Sequence, residues 1–320
     1  MSLDRAALVA HARETIARGS QSFAAASRLF DPATRERAQL LYAWCRACDD
    51  IADGQELGHG MRPVTDAEAR LARMRTLTAL ALAGGATGDP AFDALGVVAA
   101  ETGLPARYPH DLIEGFALDA QGWRPRNEDD LLRYCYHVAG SVGCMMAVLM
   151  GVDPADEATL DRACDLGIAF QLANIARDIA EDAGAGRCYL PADWLAELGI
   201  PAGEHVAPAY RARLTRLARR LTDQAARYAA SARTGAAKLS FRSAWAVLAA
   251  AGIYGGIARE VARRGGRAWD RRVSTGKAAK LGWMLIATGQ AARRHSLPDT
   301  PRDGLWTRPR GAFTTSLPRA

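Results

Sequence analysis

Two stretches of this chain place acids where an isolated helix would not tolerate them. The first is Gln171-Leu172-Ala173-Asn174-Ile175-Ala176-Arg177-Asp178-Ile179-Ala180-Glu181-Asp182. Read as helix, Gln171, Asn174, Asp178 and Asp182 share an arc of roughly 80°. The residues between them are mostly apolar, so the stripe lies in a core-like helix. Like charges one turn apart cost about 0.2–0.5 kcal/mol even in water. Burial raises that cost unless a cation sits between them.

The second stretch is Tyr42-Ala43-Trp44-Cys45-Arg46-Ala47-Cys48-Asp49-Asp50-Ile51-Ala52-Asp53. Tyr42, Arg46, Asp49 and Asp53 span roughly 60° of helix. Asp50 falls about 80° from Tyr42 and reads as a neighbour of the stripe. Acids at the negative end of a helix dipole again call for a cation. Facing each other, the two stripes would make an oxygen-rich pocket for hard divalent ions. Mg²⁺ suits it: one or two carboxylates per ion, retained water, and the remaining ligands from a diphosphate. Asp49, Asp53, Asp178 and Asp182 are the candidate carboxylate ligands, and Asn174 offers a neutral oxygen. Arg46 and Arg177 lie close enough in sequence to grip phosphate oxygens.

These stripes need long helices, and the rest of the sequence supplies them. Asp31-Pro32 is a strong helix start and Gly54 a natural stop. Further helices are expected over 4–18, 67–83, 90–102, 109–121, 129–146, from Asp153-Pro154 to about 184, and over 191–198, 208–233, 240–264 and 274–294. No alternating strand pattern, tandem repeat or linker-like boundary is evident. The expected fold is all-α, one helical domain over 1–296 followed by a Pro- and Arg-containing tail, 297–320, extended or disordered.

At 320 residues and 49% hydrophobic, the chain can bury a large core. The formal charge of +6 is concentrated toward the C-terminal part, in Arg211, Arg213, Arg216, Arg219 and Arg220 and then in Arg263, Arg264, Arg267, Arg271 and Arg272. Solvated helix faces, a polyanionic substrate, nucleic acid and an anionic membrane all fit such clusters. Cys45 and Cys48 form a C-x-x-C with no second pair to complete a zinc site. With Cys135, Cys144, Cys164 and Cys188 they read as reduced core thiols of a cytoplasmic protein. No signal peptide is expected, and the uncharged stretch 243–258 is shorter than a bilayer span.

Asp49-Asp50-Ile51-Ala52-Asp53 and 174–182 resemble the two aspartate-rich motifs of the squalene/phytoene synthase family, head-to-head prenyl transferases with an all-α isoprenoid-synthase fold and a central active-site cavity. Ser20-Gln21-Ser22-Phe23, 42–54, 134–143 and 186–191 resemble other family blocks in the family's order, and the similarity extends from about residue 8 to 290. Tyr-Ala-Trp-Cys-Arg before Asp-Asp, and Arg-Cys-Tyr-Leu-Pro, resemble the bacterial phytoene-forming branch.

The resemblance implies condensation of two geranylgeranyl diphosphates into 15-cis-phytoene through prephytoene diphosphate, in carotenoid biosynthesis. It implies Mg²⁺ or Mn²⁺, with no NADPH, and leaves a nucleotide effector open. Carried over, Asp49, Asp53, Asn174, Asp178 and Asp182 hold metal, and Tyr42 and Arg46 join the acids in catalysis. Arg46, Arg177 and Arg272 bind diphosphate, with Ser20, Ser22, Gln171 and Tyr189 beside them. Phe23, Tyr134, Val138, Ala139, Gly143 and Tyr254 line the apolar channel. His137 departs from the small residue common in relatives at that place.

Two rival readings are kept. A presqualene diphosphate or dehydrosqualene synthase would use farnesyl diphosphate, and pocket depth, which spacing does not reveal, separates the two. A basic helical module for nucleic acid or membrane predicts salt-sensitive, Mg²⁺-indifferent binding and leaves both stripes unexplained. No nucleic-acid partner is therefore expected. Peripheral membrane contact, through 211–220 or 243–258, and association with other carotenoid enzymes are compatible with the enzyme reading.

Overall fold

The computed structural model describes residues 4–19, 26–54 and 66–310, with the Asp53 side chain excepted. Ser20, Ser22 and Phe23 lie outside the described residues. Among the described residues there is no strand. The helices are α1 (Arg5–Gly19), α2 (Pro32–Asp53), α3 (Ala67–Leu82), α4 (Pro90–Thr102), α5 (Arg107–Ala120), α6 (Glu128–Cys135), α7 (Ser141–Leu149), α8 (Glu157–Gly184), α9 (Ala192–Glu197), α10 (Arg211–Gly235), α11 (Phe241–Arg264) and α12 (Lys277–Ala292).

Caps explain most boundaries. Asp31 accepts a bond from the Thr34 amide with Pro32 in the first turn, and Gly54 closes α2 at φ 63°. Asp89 and Pro90 open α4 in the same way. Two starts differ from expectation. Helix α5 begins at Arg107, because Pro109 falls in the first turn, where amides have no helical partner anyway. Helix α8 begins at Glu157, not at Asp153-Pro154. Asp153 instead caps a turn by accepting from the Ala155 amide, and Asp156 caps the helix through the Thr159 amide at 3.0 Å.

Helix α8 runs through the middle of the bundle, packed by α6, α7, α10 and α11. Helices α1 to α5 form a second layer around α2. The stretch expected as one helix over 129–146 is α6 and α7 joined by a π-helical turn, Tyr136–Gly140. In it the Ser141 amide bonds the carbonyl five residues back. A spacing of four drifts about 40° per step around an α-helix. The wider turn absorbs that drift and keeps Tyr134, Val138 and Val142 on one wall. Here the chain crosses α8 closely. A Cβ at Gly143 would lie 2.3 Å from the Ala163 carbonyl, and one at Gly167 would lie 2.2 Å from the Ala139 carbonyl. Glycine at 143 and 167 is therefore a requirement of the crossing.

Residues 297–310, expected as a free tail, have no regular helix but lie against α8 and α10. Arg162 donates to the Thr300 carbonyl, and the Trp306 amide donates to the Tyr228 hydroxyl at 3.0 Å. Arg302 pairs with Asp165 in two bonds of 2.8 Å. Arg308 is wholly buried between Glu157 and Asp161. Arginines reaching buried carboxylates, invisible to composition, hold this strap in place. The span 241–267 around α11 is long and apolar enough to cross a membrane by length and composition, contrary to the sequence reading, but half of its apolar window is buried inside the bundle.

Candidate active site

Helices α2, α5 and α8 end at a common cavity of about 390 Å³. Each brings an acid near its C-terminal end: Asp49, Asp119 and the pair Asp178 and Asp182. Three negative helix ends and four carboxylates on one wall call for positive charge. Arg46, Arg177 and Arg187 line the same cavity and supply part of it. Beyond them the lining turns apolar with Leu112, Phe116, Val138, Val142 and Ile175. The lining thus joins a charged set to an apolar, hydrocarbon-like set.

The arginines hold the acids in the structure. Arg46 bonds Asp49 at 2.5 Å, and Asp50 stands 3.9 Å away, the neighbouring place expected of it. Arg177 forks onto Asp178 with bonds of 2.7 and 2.5 Å. Arg272, mostly exposed, reaches over from the loop before α12 to Asp178 at 3.1 Å and Glu181 at 3.4 Å. Asp182 is less well served. Burial and then Asp178 push its carboxyl up to about 7, with Arg187 opposing.

On one side of the mouth sits a stacked aromatic wall. Tyr134 and Tyr189 lie 4.8 Å apart, ring centre to ring centre, and Trp123 backs Tyr134 at 5.7 Å. Both tyrosines donate to Asp119, at 3.0 and 2.8 Å. Burial holds both phenols protonated, well above their usual range.

The cavity brings together Tyr42, Arg46, Asp49, Tyr134, Val138, Gln171, Asn174, Arg177, Asp178, Asp182 and Tyr189 of the expected residues. Three others are placed elsewhere. Gly143 is spent on the close helix crossing, and Ala139 lends its carbonyl to the same contact. Tyr254 stacks on Phe170 at 4.1 Å and is not among the residues lining the cavity. His137 is also outside the lining; its Nδ1 meets the Asp111 carbonyl at 2.9 Å, and burial lowers its pKa. Cys45, expected as core, is part of the cavity wall, and all six cysteines are free.

Sequence reasoning missed Asp119, Arg187, Leu112 and Phe116. A signal was present for three of them. Leu112, Phe116 and Asp119 repeat the 0, 4, 7 spacing of Tyr42, Arg46 and Asp49, again with an acid at the C-terminal end.

Among the described residues no three carboxylate, thiol or imidazole side chains converge tightly enough to hold an ion alone. Yet the Asn174 side-chain oxygen is buried without a hydrogen-bond partner, and Asp182 is short of positive charge. An unused neutral oxygen beside under-neutralised carboxylates fits a hard cation that takes its remaining ligands from a phosphate. Asp53, the other expected ligand, ends α2, and its side chain lies outside the described residues.

The squalene/phytoene synthase family profile matches residues 16–279, and the chain belongs to that family. It is 49% identical to the phytoene synthase of Pseudescherichia vulneris, over 94% of this chain and 98% of that one. It is 48% identical to the 15-cis-phytoene synthase of Pantoea ananas, over 96% of this chain and the whole of that one. In structure it is similar to a dehydrosqualene synthase solved with a ligand, at a TM-score of 0.80 and 25% identity, covering 90% and 98% of the two chains.

Proposed function

We propose that this chain is a prenyl transferase that joins two geranylgeranyl diphosphates head to head into 15-cis-phytoene, releasing two diphosphates. The observation that carries the reading is the convergence of three acid-tipped helix ends and three arginines on a cavity that is also lined by apolar side chains. The near-full-length similarity to proteins named phytoene synthase supports the C20 substrate.

Asp49, Asn174, Asp178 and Asp182, with Asp53, are the residues that would hold Mg²⁺ or Mn²⁺. When bound, the ion supplies charge against the departing diphosphate. Arg46, Arg177 and Arg272 already sit beside these acids and would turn to the diphosphate oxygens as it binds. Gln171, between the polar and apolar parts, would orient the first prenyl carbons. The Tyr134–Tyr189 stack offers ring faces to an allylic cation, and both hydroxyls are tied down on Asp119. Val138, Val142, Leu112 and Phe116 keep water from that cation. The reaction needs no hydride donor, and we place it in the cytoplasm, with later carotenoid enzymes taking the product.

The test is incubation of the purified protein with C20 and C15 diphosphates and Mg²⁺, with products separated by chromatography. A C40 hydrocarbon from the C20 substrate, abolished by chelation and unaffected by omitting NADPH, is expected. Presqualene or squalene-type product from C15, with nothing from C20, would overturn the assignment.

A further inference from the structure

Helix α12 carries a face that the bundle leaves uncovered. Leu281, Leu285 and Ile286 are 58%, 68% and 51% exposed. Ala278, Gly289 and Ala292 are exposed with them. On a helical projection Leu281 to Ile286 span about 140°, a continuous apolar strip rather than scattered single residues. The opposite side of α12 is well seated. Trp283 packs on Gly252 of α11, Trp245 donates to the Met284 carbonyl at 2.8 Å, and Ala287 and Ala291 are buried.

The charges within and flanking α12 itself are all positive, the nearest acids in sequence being Asp270 and Asp299, and Arg272 is paired with Asp178 and Glu181. From Arg271 to Pro298 there is no aspartate or glutamate, while Arg271, Arg272, Lys277, Lys280, Arg293 and Arg294 are all present. Of these Arg271, Arg272, Lys277 and Arg293 are exposed. A second copy docked on the same face would set these cations against themselves. An apolar strip with cationic ends instead complements an anionic lipid leaflet, with leucines among the acyl chains and arginines at the headgroups.

The geometry points to the outer face of α12 as a docking surface for an anionic membrane. Its cationic N-terminal end connects to the site, since Arg272 in the preceding loop pairs with Asp178 at the cavity. Docking here would bring the cavity mouth to the layer in which a long-chain prenyl diphosphate dissolves. That purpose rests on the proposed reaction; the surface itself is argued from exposure and charge.

Co-sedimentation with phosphatidylglycerol or phosphatidylcholine vesicles, without substrate or Mg²⁺, tests it separately from turnover. The wild type is expected to partition onto phosphatidylglycerol vesicles, less onto phosphatidylcholine, and to weaken as salt rises. The L281E/L285E double variant should lose on the order of tenfold or more of that partitioning, as two leucines no longer enter an apolar layer. L80E, altering another exposed leucine on α3, should bind like wild type. L281E/L285E should keep its thermal midpoint and its turnover of detergent-dispersed substrate. Equal partitioning of wild type and L281E/L285E would overturn the proposal. So would a wild type that ignores vesicles but forms dimers that L281E/L285E breaks. Vesicle binding without turnover would count against the reaction and leave the surface standing.

Discussion

The two halves of α8 are both acidic, and they are treated in opposite ways. In the first half, Asp161 and Asp165 are 3% and 0% exposed, and Glu157 stands beside them. Arg302, Arg308 and Arg310 from the C-terminal strap meet all three, and the Ser231 hydroxyl adds a bond to Asp165. In the second half, Asp178 and Asp182 face a cavity, Asp182 is short of positive charge, and Asn174 keeps a buried oxygen without a partner. The first set, the closed one, is paired charge for charge with the strap's arginines, although Asp161 Oδ1 and the Arg308 Nε make an ion pair without a well-aligned hydrogen bond. The second, open to the cavity, is less fully neutralised by the chain's own cations. Burial and acidity are shared; what separates the two clusters is the cavity and the degree of neutralisation.

Breaking the closed cluster should have the largest effect. Arg308→Ala leaves Asp161 and Glu157 without their buried partner and is expected to destabilise the fold by about 3–5 kcal/mol in urea unfolding. Turnover per folded molecule should be unchanged, and a loss of turnover greater than the loss of folded protein would erase the contrast. In the open cluster the reverse is expected. Asp178→Asn and Asp49→Asn should each lower Mg²⁺-dependent turnover by about 10²–10³-fold or more, the scale of losing one preorganised electrostatic group. Their circular dichroism should match wild type; undiminished activity in either would remove the metal-cluster reading.

Asp182 sharpens the comparison through pH. Its carboxyl is raised from 3.8 to about 7 in the fold, so the folded state binds more protons than the unfolded one between those values. The stability it contributes is fully present below about 4 and is lost as pH rises through about 7. Asp182→Asn should therefore be more stable than wild type at pH 8 without divalent ions, by about 1–3 kcal/mol, with the gap closing toward pH 4. Mg²⁺ should narrow the gap at pH 8 by stabilising the wild type in proportion to its occupancy. Thermal melts with and without chelator read both. The smallest effect is expected for Tyr134→Phe, which removes one of two hydroxyls on Asp119 and leaves the ring stack. About 1 kcal/mol in stability is expected by urea unfolding, together with a modest fall in kcat.

The open cluster was legible in the sequence because its residues repeat at helical spacing inside apolar helices. The closed one was not: Asp161 and Asp165 have that spacing too, but their arginine partners lie 137 to 149 residues away, in a segment whose prolines suggested an extended or disordered tail. Helix positions were recovered where caps are local, as at Asp31-Pro32 and Gly54. They slipped at 153–157, where two aspartates compete for the cap. The channel wall was harder. Tyr254 and Gly143 have residue types that suit a prenyl pocket, but stacking on Phe170 and the crossing with α8 decide where they stand. Such contacts are set by three-dimensional packing, not by spacing.

The strap also orders events in time. Asp165 and Arg302 are 137 residues apart, and at about 5–20 residues per second that is a wait of roughly 7–27 s during synthesis. Until then the first half of α8 carries its buried acids without the strap's arginines. Neutralisation of the first half of the central helix therefore comes late in synthesis, after the second half of that helix and its acids have been made.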